Sequence, residues 1–421
     1  MFTFLHAADI HLDSPLIGLT RYGDAPVDEL RGASRRAFHN LVDVALEEKV
    51  AFVVLAGDLY DGDWKDYNTG LFFVQEMARL KDGGIPVFVL AGNHDAANQF
   101  TRSLRSPDNV KRFSTSRAET LLLDDYEVAI HGRGFPSKVV DEDLSAGYPA
   151  LVPGRFNVGL LHTSLDGREG HAAYAPCSLS GLRSKHYQYW ALGHVHTREE
   201  VSRDPWVVFP GNIQGWHARE PGPKGCTLVT VSAGEVADVR EVFVDVLRWS
   251  RCRVDLSSAE TWEVVLDRVG RALEREMTAA DGRLLALRLE LRGQTAAHAA
   301  CVAHPEHTEQ ELRALAFDRC GDTAWIEKVE INTSPETTAG VDVEMSEALT
   351  GLLGTLRQKE GDDALIAELA KEFSEIRGKL PIELFGPQAT DPLDPTSPDL
   401  LRGLVGQARD LLMARLTAEG K

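Results

Sequence analysis

The chain has 421 residues, 43% of them hydrophobic and 26% charged, with a formal net charge of −19 and a pI near 5.2. These are globular values, and the length exceeds one ordinary core, so two or three domains are expected. The acidic balance excludes a protein that coats nucleic acid by bulk charge, although bound divalent ions and a local basic track would change the field at a site.

Phe4 to Ala8 reads as a short first strand that runs into Asp9-Ile10-His11. Residues 27–49 follow as a helix, because Leu30, Ala33, Ala37, Leu41 and Ala45 share one face. Ala51 to Ala56 is a second buried strand, ending in Gly57-Asp58, and a helix over 67–80 returns to a third, Pro86 to Leu90. That strand ends in Gly92-Asn93-His94-Asp95. Alternating strands and helices imply a parallel sheet with right-handed crossovers and all these polar loops on one edge. Further strands are expected at 126–131, 156–161, 187–192 and 206–209. The second of these ends in His162 and the third in Gly193-His194-Val195-His196. A closing hairpin over 226–246 turns at Gly234. Beyond about residue 248 the His/Asp loops stop. Residues 249–333 read as a small α+β unit, with Leu285, Leu287, Leu289 and Leu291 alternating along one strand. Residues 334–421 read as a helical tail, broken by prolines from Pro381 to Pro398.

The cysteines, Cys177, Cys226, Cys252, Cys301 and Cys320, form no Cys-x-x-Cys pair, which argues against a disulfide framework or zinc knuckle. No apolar run is long enough to span a bilayer and Met1–His6 does not read as a signal peptide, so a cytoplasmic protein is expected.

Asp9, His11, Asp58, Asn93, His94, His162, His194 and His196 all fall at strand ends. An isolated Asp-x-His or Gly-Asp is more often a turn than a ligand pair. Their occurrence in series, each after a strand, points to metal. Mixed carboxylate, amide and imidazole donors suit Mn²⁺ or Fe²⁺, with Zn²⁺ also compatible. The donors outnumber the needs of one ion. Two ions ~3.5–4 Å apart, bridged by a carboxylate, form the clamp used for in-line displacement at phosphorus.

Asp9-Ile10-His11, Gly57-Asp58, Gly92-Asn93-His94-Asp95, His162 and Gly193-His194-Val195-His196 resemble the five motifs of the calcineurin-like metallophosphoesterases. The contexts Leu5 to Leu16 and Gly57 to Gly62 resemble the SbcD-like DNA repair exonucleases, in the YhaO-type branch. The resemblance covers residues 1–248 and is weaker for the tail. It implies an α/β fold: a two-sheet αββα sandwich, with a small α+β capping domain and a helical C-terminal tail. It also implies that Asp9, His11, Asp58 and His196 hold one ion, and that Asp58, Asn93, His162 and His194 hold the other. His94 would act on the phosphate without binding metal, with Asp95 expected to orient it. Relatives often carry His three residues after the bridging Asp; here that position is Asp61.

The function so implied is metal-dependent DNA exo- or endonuclease activity, with Mn²⁺ the favoured ion. Arg102, Arg105, Lys111 and Arg112 are expected to track the DNA backbone. By the same resemblance the tail helices would dock an SbcC-like ABC-type ATPase through its coiled coil, and the protein would form a homodimer. The alternative is a phosphoesterase acting on small molecules or phosphoproteins, which the net charge favours.

Overall fold

The apolar runs that open the chain become neighbouring strands. The computed structural model describes residues 1–14, 26–61, 67–96, 106–166, 174–336, 362–377 and 394–419, with 351, 354, 355 and 359. Strands β1 (Phe2–Ala7), β2 (Val53–Ala56), β3 (Val87–Leu90) and β4 (Val110–Arg112) pair in parallel in that order. The hairpin β11 (Gly225–Ser232) and β12 (Glu235–Phe243) adds antiparallel beside β1, giving a six-stranded sheet. Every residue of β2 and β3 is buried, as parallel strands covered on both faces require.

One face of this sheet packs on the crossover helices α2 (Ala33–Glu47) and α3 (Tyr67–Asp82), through Phe38, Leu41, Phe73 and Met77. The other face meets a second six-stranded sheet, ordered β5-β6-β7-β8-β10-β9. Its members are β5 (Glu119–Leu123), β6 (Val128–Gly132), β7 (Phe156–His162), β8 (Tyr189–Gly193), β9 (Glu199–Arg203) and β10 (Trp206–Phe209). Phe4 stacks on Phe52 at 4.8 Å and meets Tyr189 edge-on at 5.3 Å, across the junction of the two sheets. Truncating a ring buried this deeply typically costs about 3–5 kcal/mol. The outer face of the second sheet is covered by Phe135, Leu144, Tyr148 and Leu182, which pack on Trp190 and Leu192. The result is the expected helix–sheet–sheet–helix layering.

His6 lies inside this junction. Its Nδ1 is 3.0 Å from the Tyr189 hydroxyl, and its Nε2 is 3.0 Å from the Leu192 carbonyl. The carbonyl can only accept, so Nε2 donates and the hydroxyl donates to Nδ1. Burial pushes His6 down to about 3, outweighing the carbonyl bond that would raise it. The folded value lies below the unfolded value near 6.5, so the unfolded chain takes up this proton first as pH falls. Stability from this group is complete above pH ~6.5 and is lost below it, at up to about 1.4 kcal/mol per pH unit. His6→Gln is expected to flatten that part of the acid limb in urea unfolding between about pH 7 and 4; an unchanged slope would contradict it.

Three elements differ from expectation. The helix over 27–49 is interrupted at Gly32, giving α1 (Val27–Arg31) and α2; glycine is the weakest helix former in the run. Strands β5 and β9 have no clean alternation in sequence. They are sheet edges, partly exposed and carrying charge, as edges do to avoid further pairing. Strand β13 (Leu247–Asp255) follows the closing hairpin.

The chain divides into two compact units, Met1–Ser250 with Gly282–Ala286, and Arg251–Asp281 with Leu287–Lys421. The second contains most of a three-stranded sheet, β13-β14-β15, from β13, β14 (Leu284–Thr295) and β15 (Ala324–Pro335). Helices Trp262–Ala280, His298–Ala303 and Pro305–Cys320 accompany it. The described tail helices, Asp363–Arg377 and Pro398–Glu419, fall within this unit. Leu401 is buried, and Arg415 Nε donates to the Ala303 carbonyl at 3.1 Å. The apolar face expected at Met345 to Leu356 and most of the proline-rich stretch lie outside the described residues. No described helix is long and apolar enough to cross a membrane.

Candidate metal centre

The ends of β1, β2, β3, β7 and β8 deliver the polar loops to one place. The backbone there is unusual. Asp9 (φ 50), His11 (φ 43), Asp58 (φ 53) and His194 (φ 102) are all left-handed without being glycine. Such residues cost on the order of 1–3 kcal/mol each and persist where the surroundings over-determine them. Here the first two loops are zipped together. Asp9 N donates to Gly57 O at 3.0 Å, His11 N to Asp58 O at 3.0 Å and Leu12 N to Leu59 O at 2.9 Å. Gly92 serves close approach, since a Cβ there would sit 2.2 Å from Asp58 Oδ1.

Three clusters of donor atoms result among the described residues, the atoms of each within 4.8 Å of one another. Asp9, His11 and His196 form one ligand group and Asp58, His162 and His194 the other, while His11 also meets Asp61 and His94 in the third. The Asp58 carboxylate reaches both groups, 3.3 Å from His162 Nε2 and 3.9 Å from His11 Nε2. Asn93 Oδ1 lies 2.9 Å from His162 Nε2 and so joins the second group. All seven predicted ligands are therefore brought together. His194 N donates to Asp9 Oδ2 at 2.9 Å, and His94 N to Asp58 Oδ1 at 2.9 Å, fixing both carboxylates from the main chain.

The electrostatics fit divalent cations. His162 Nδ1 faces the Ala56 carbonyl at 2.9 Å and must donate to it. A neutral His162 then turns the Nε2 lone pair toward Asn93 Oδ1 and Asp58 Oδ2, so three acceptors face one point. A proton on Nε2 would also answer them: burial opposes it, but the Asp58 charge and hydrogen bond push His162 up to about 9. His11 is the converse case. Both its ring nitrogens are buried without a hydrogen-bond partner among the described residues. Burial pushes it down to about 3, which keeps it neutral and able to ligate. An unpartnered buried imidazole is costly unless something binds it.

His94 lies at the edge of the site, in the cluster it shares with His11 and Asp61. Its side chain is 35% exposed, against 1% for His11. The orienter is not Asp95, which corrects the expectation. His94 Nδ1 lies 2.6 Å from Asp61 Oδ1, and Asp61 Oδ2 accepts the Ser14 hydroxyl at 2.6 Å. Burial would lower the His94 pKa, but the Asp61 hydrogen bond and the Asp58 and Asp61 charges outweigh it and the net shift is upward. His94 and Asp95 sit in one helical turn, α4 (Asn93–Ala96), where successive side chains diverge by about 100°. Asp95 points inward instead, and accepts from Leu59 N at 3.0 Å, Tyr60 N at 3.1 Å and Gly92 N at 3.0 Å. It fastens the second loop to the third.

Sequence reasoning passed over two more residues. Glu220 Oε1 lies 2.6 Å from His196 Nδ1, and the Trp216 ring stands edge-on to His11 with centroids 4.3 Å apart. Neither follows a strand-end motif. Of the basic segment, Arg102 and Arg105 lie outside the described residues. Lys111 and Arg112 are in β4; Lys111 is exposed and Arg112 donates to Ser106 Oγ at 3.3 Å.

Comparison with known proteins agrees with this geometry. Residues 2–198 match the family model of calcineurin-like phosphoesterases, and residues 249–334 that of the middle domain of metallophosphoesterase YhaO. Metallophosphoesterase YhaO of Bacillus subtilis (strain 168) is 30% identical over 343 residues, 80% of this chain and 83% of that protein. The DNA double-strand break repair protein Mre11 of Methanopyrus kandleri is 25% identical over 408 residues, 87% of this chain and 81% of that protein. Mre11 of Sulfurisphaera tokodaii is 28% identical over 258 residues, 58% of this chain and 62% of that protein. With its ligand groups assembled at the strand ends, the chain belongs to the calcineurin-like metallophosphoesterases, in the YhaO family.

Proposed function

We propose that this protein hydrolyses phosphodiester bonds in DNA with two divalent ions, Mn²⁺ being the favoured pair. The observation that carries the hydrolytic part is the Asp58 carboxylate within reach of both ligand groups. Asp9, His11, Asp58 and His196 would hold one ion, and Asp58, Asn93, His162 and His194 the other. Bound there, such ions supply Lewis-acid charge at the phosphoryl oxygens and a water of lowered pKa. Asp61 holds the Nδ1 proton of His94, which leaves Nε2 on the far side of the ring to give a proton to the leaving oxygen. The choice of DNA rests on the Mre11 relatives, which are named for DNA double-strand break repair.

The net charge of −19 favours a second reading, a phosphoesterase of small molecules or phosphoproteins. Mn²⁺-loaded protein should be offered linear duplex, single-stranded DNA and an aryl phosphodiester in parallel. Cleavage of DNA is expected. Hydrolysis of the aryl ester alone would leave the metal chemistry standing and reject DNA as substrate. The same reading has residues 249–333 orient the DNA, the protein acting in the cytoplasm as a homodimer, and the tail docking the coiled coil of an SbcC-like ATPase. Leu404, Leu412 and Leu416, exposed along Pro398–Glu419, support a docking role.

A further inference from the structure

His196 is held from two sides by one loop. Its carbonyl accepts from Lys224 Nζ at 3.0 Å and from Asn212 N at 3.3 Å. Its ring Nδ1 lies 2.6 Å from Glu220 Oε1. A carboxylate can only accept, so Nδ1 carries a proton, and in the neutral ring Nε2 keeps its lone pair. Nε2 is the atom on the side of Asp9, 3.9 Å from its Oδ1. The other Glu220 oxygen is also committed. Oε2 accepts from Trp216 N at 3.0 Å and from Asn212 Nδ2 at 3.0 Å.

We propose that Glu220 is a positioning residue for the metal centre, fixing His196 in the tautomer whose Nε2 can ligate the ion shared with Asp9 and His11. The role rests on the two-metal reading above. Its physical basis is general: a ligating imidazole is oriented, and its basicity raised, by the acceptor on its other nitrogen. Here Glu220 is held on both sides. Oε1 faces His196 Nδ1, and Oε2 faces the Trp216 main-chain N–H and the Asn212 side-chain amide, which is itself oriented by donation to the Gln214 carbonyl.

This makes the isosteric variant the more damaging one. In Glu220→Gln the amide oxygen must face the two N–H donors of Trp216 and Asn212, because the opposite rotamer would set an NH₂ against both. The amide nitrogen then faces His196 Nδ1 and donates to it. The ring proton moves to Nε2, where it points at the ligand group and excludes the cation. Glu220→Ala leaves Nδ1 without an acceptor and the tautomer unbiased, a lesser fault. A residue that merely supported the loop would give the reverse order, since Gln preserves the loop's hydrogen bonds and Ala does not.

The test is titration of the full chain with Mn²⁺, and with Co²⁺ followed by its visible absorption, alongside thermal unfolding in chelator. Wild type is expected to bind two ions. Glu220→Ala should weaken one of them by about 10–100-fold, leaving the other unchanged. Glu220→Gln should weaken that same ion further, while its unfolding temperature in chelator stays at the wild-type value. Gln binding as wild type does, or more tightly than Ala, would overturn the proposal. So would loss of both ions together with a lowered unfolding temperature in chelator. A wild-type protein that binds no ion would reject the two-metal reading itself, and the positioning role with it.

Discussion

Asp58→Asn protein is expected to lose both ions on dialysis and to hydrolyse phosphodiesters on the order of 10³-fold more slowly, a loss set by the electrostatic term that metal centres supply. Asp58 lies within 3.9 Å of a ring nitrogen in each ligand group, so one substitution removes charge from both. Asparagine is a fair test of charge alone. It matches the volume of aspartate, and it is one of the few residues that tolerates the left-handed backbone at this position. The substitution also removes the charge that raises His162, whose burial then favours the neutral ring. Metal content by elemental analysis and turnover of an aryl phosphodiester check the prediction together. Retention of both ions at wild-type occupancy would show that Asp58 does not join the two groups.

His94→Ser should behave differently. Metal content is expected to remain at two ions while turnover falls by about 10²–10⁴-fold, the usual contribution of a placed general acid. His94 is bonded to Asp61 and is far more exposed than the ligand His11 beside it. Asp61→Ala should reproduce a part of that loss, because it acts only by holding Nδ1. Loss of an ion from His94→Ser, measured as for Asp58→Asn, would move His94 into the ligand set. The two variants thus separate residues that hold charge from a residue that moves a proton.

The ligand residues were legible in sequence because their placement is local. Each follows a short apolar strand directly, and the strand fixes where the loop points. The partners of those residues were not legible, for the same reason reversed. Glu220 meets His196 across 24 residues that include β9, β10 and the loop after them, and its partner cannot be inferred from spacing. Asp61 was visible only as a departure from the His that relatives carry. Asp95 was misread because adjacency in sequence was taken for adjacency in space, whereas within one helical turn consecutive side chains diverge by about 100°. In the fold, buried strands such as β2 and β3 announce themselves through continuous apolar runs. Edge strands β5 and β9 do not, since half of their surface answers to water. The tail shows apolar faces in its sequence, but not which surface they meet. Leu401 turned inward, whereas Leu404 remained exposed.

The left-handed backbone at Asp9, His11, Asp58 and His194 ties the protein's durability to its mineral supply. Strain stored at four ligand residues is borne by the chain whether or not an ion is present. The ions return free energy only to the folded form, by about 2.7 kcal/mol for each site at a free concentration a hundred times its Kd. Chelation therefore removes more than catalysis. The folded form without ions is expected to unfold at a lower temperature. Divalent-ion supply is thus expected to bear on the persistence of the fold as well as on hydrolysis, and thermal unfolding with and without chelator checks it.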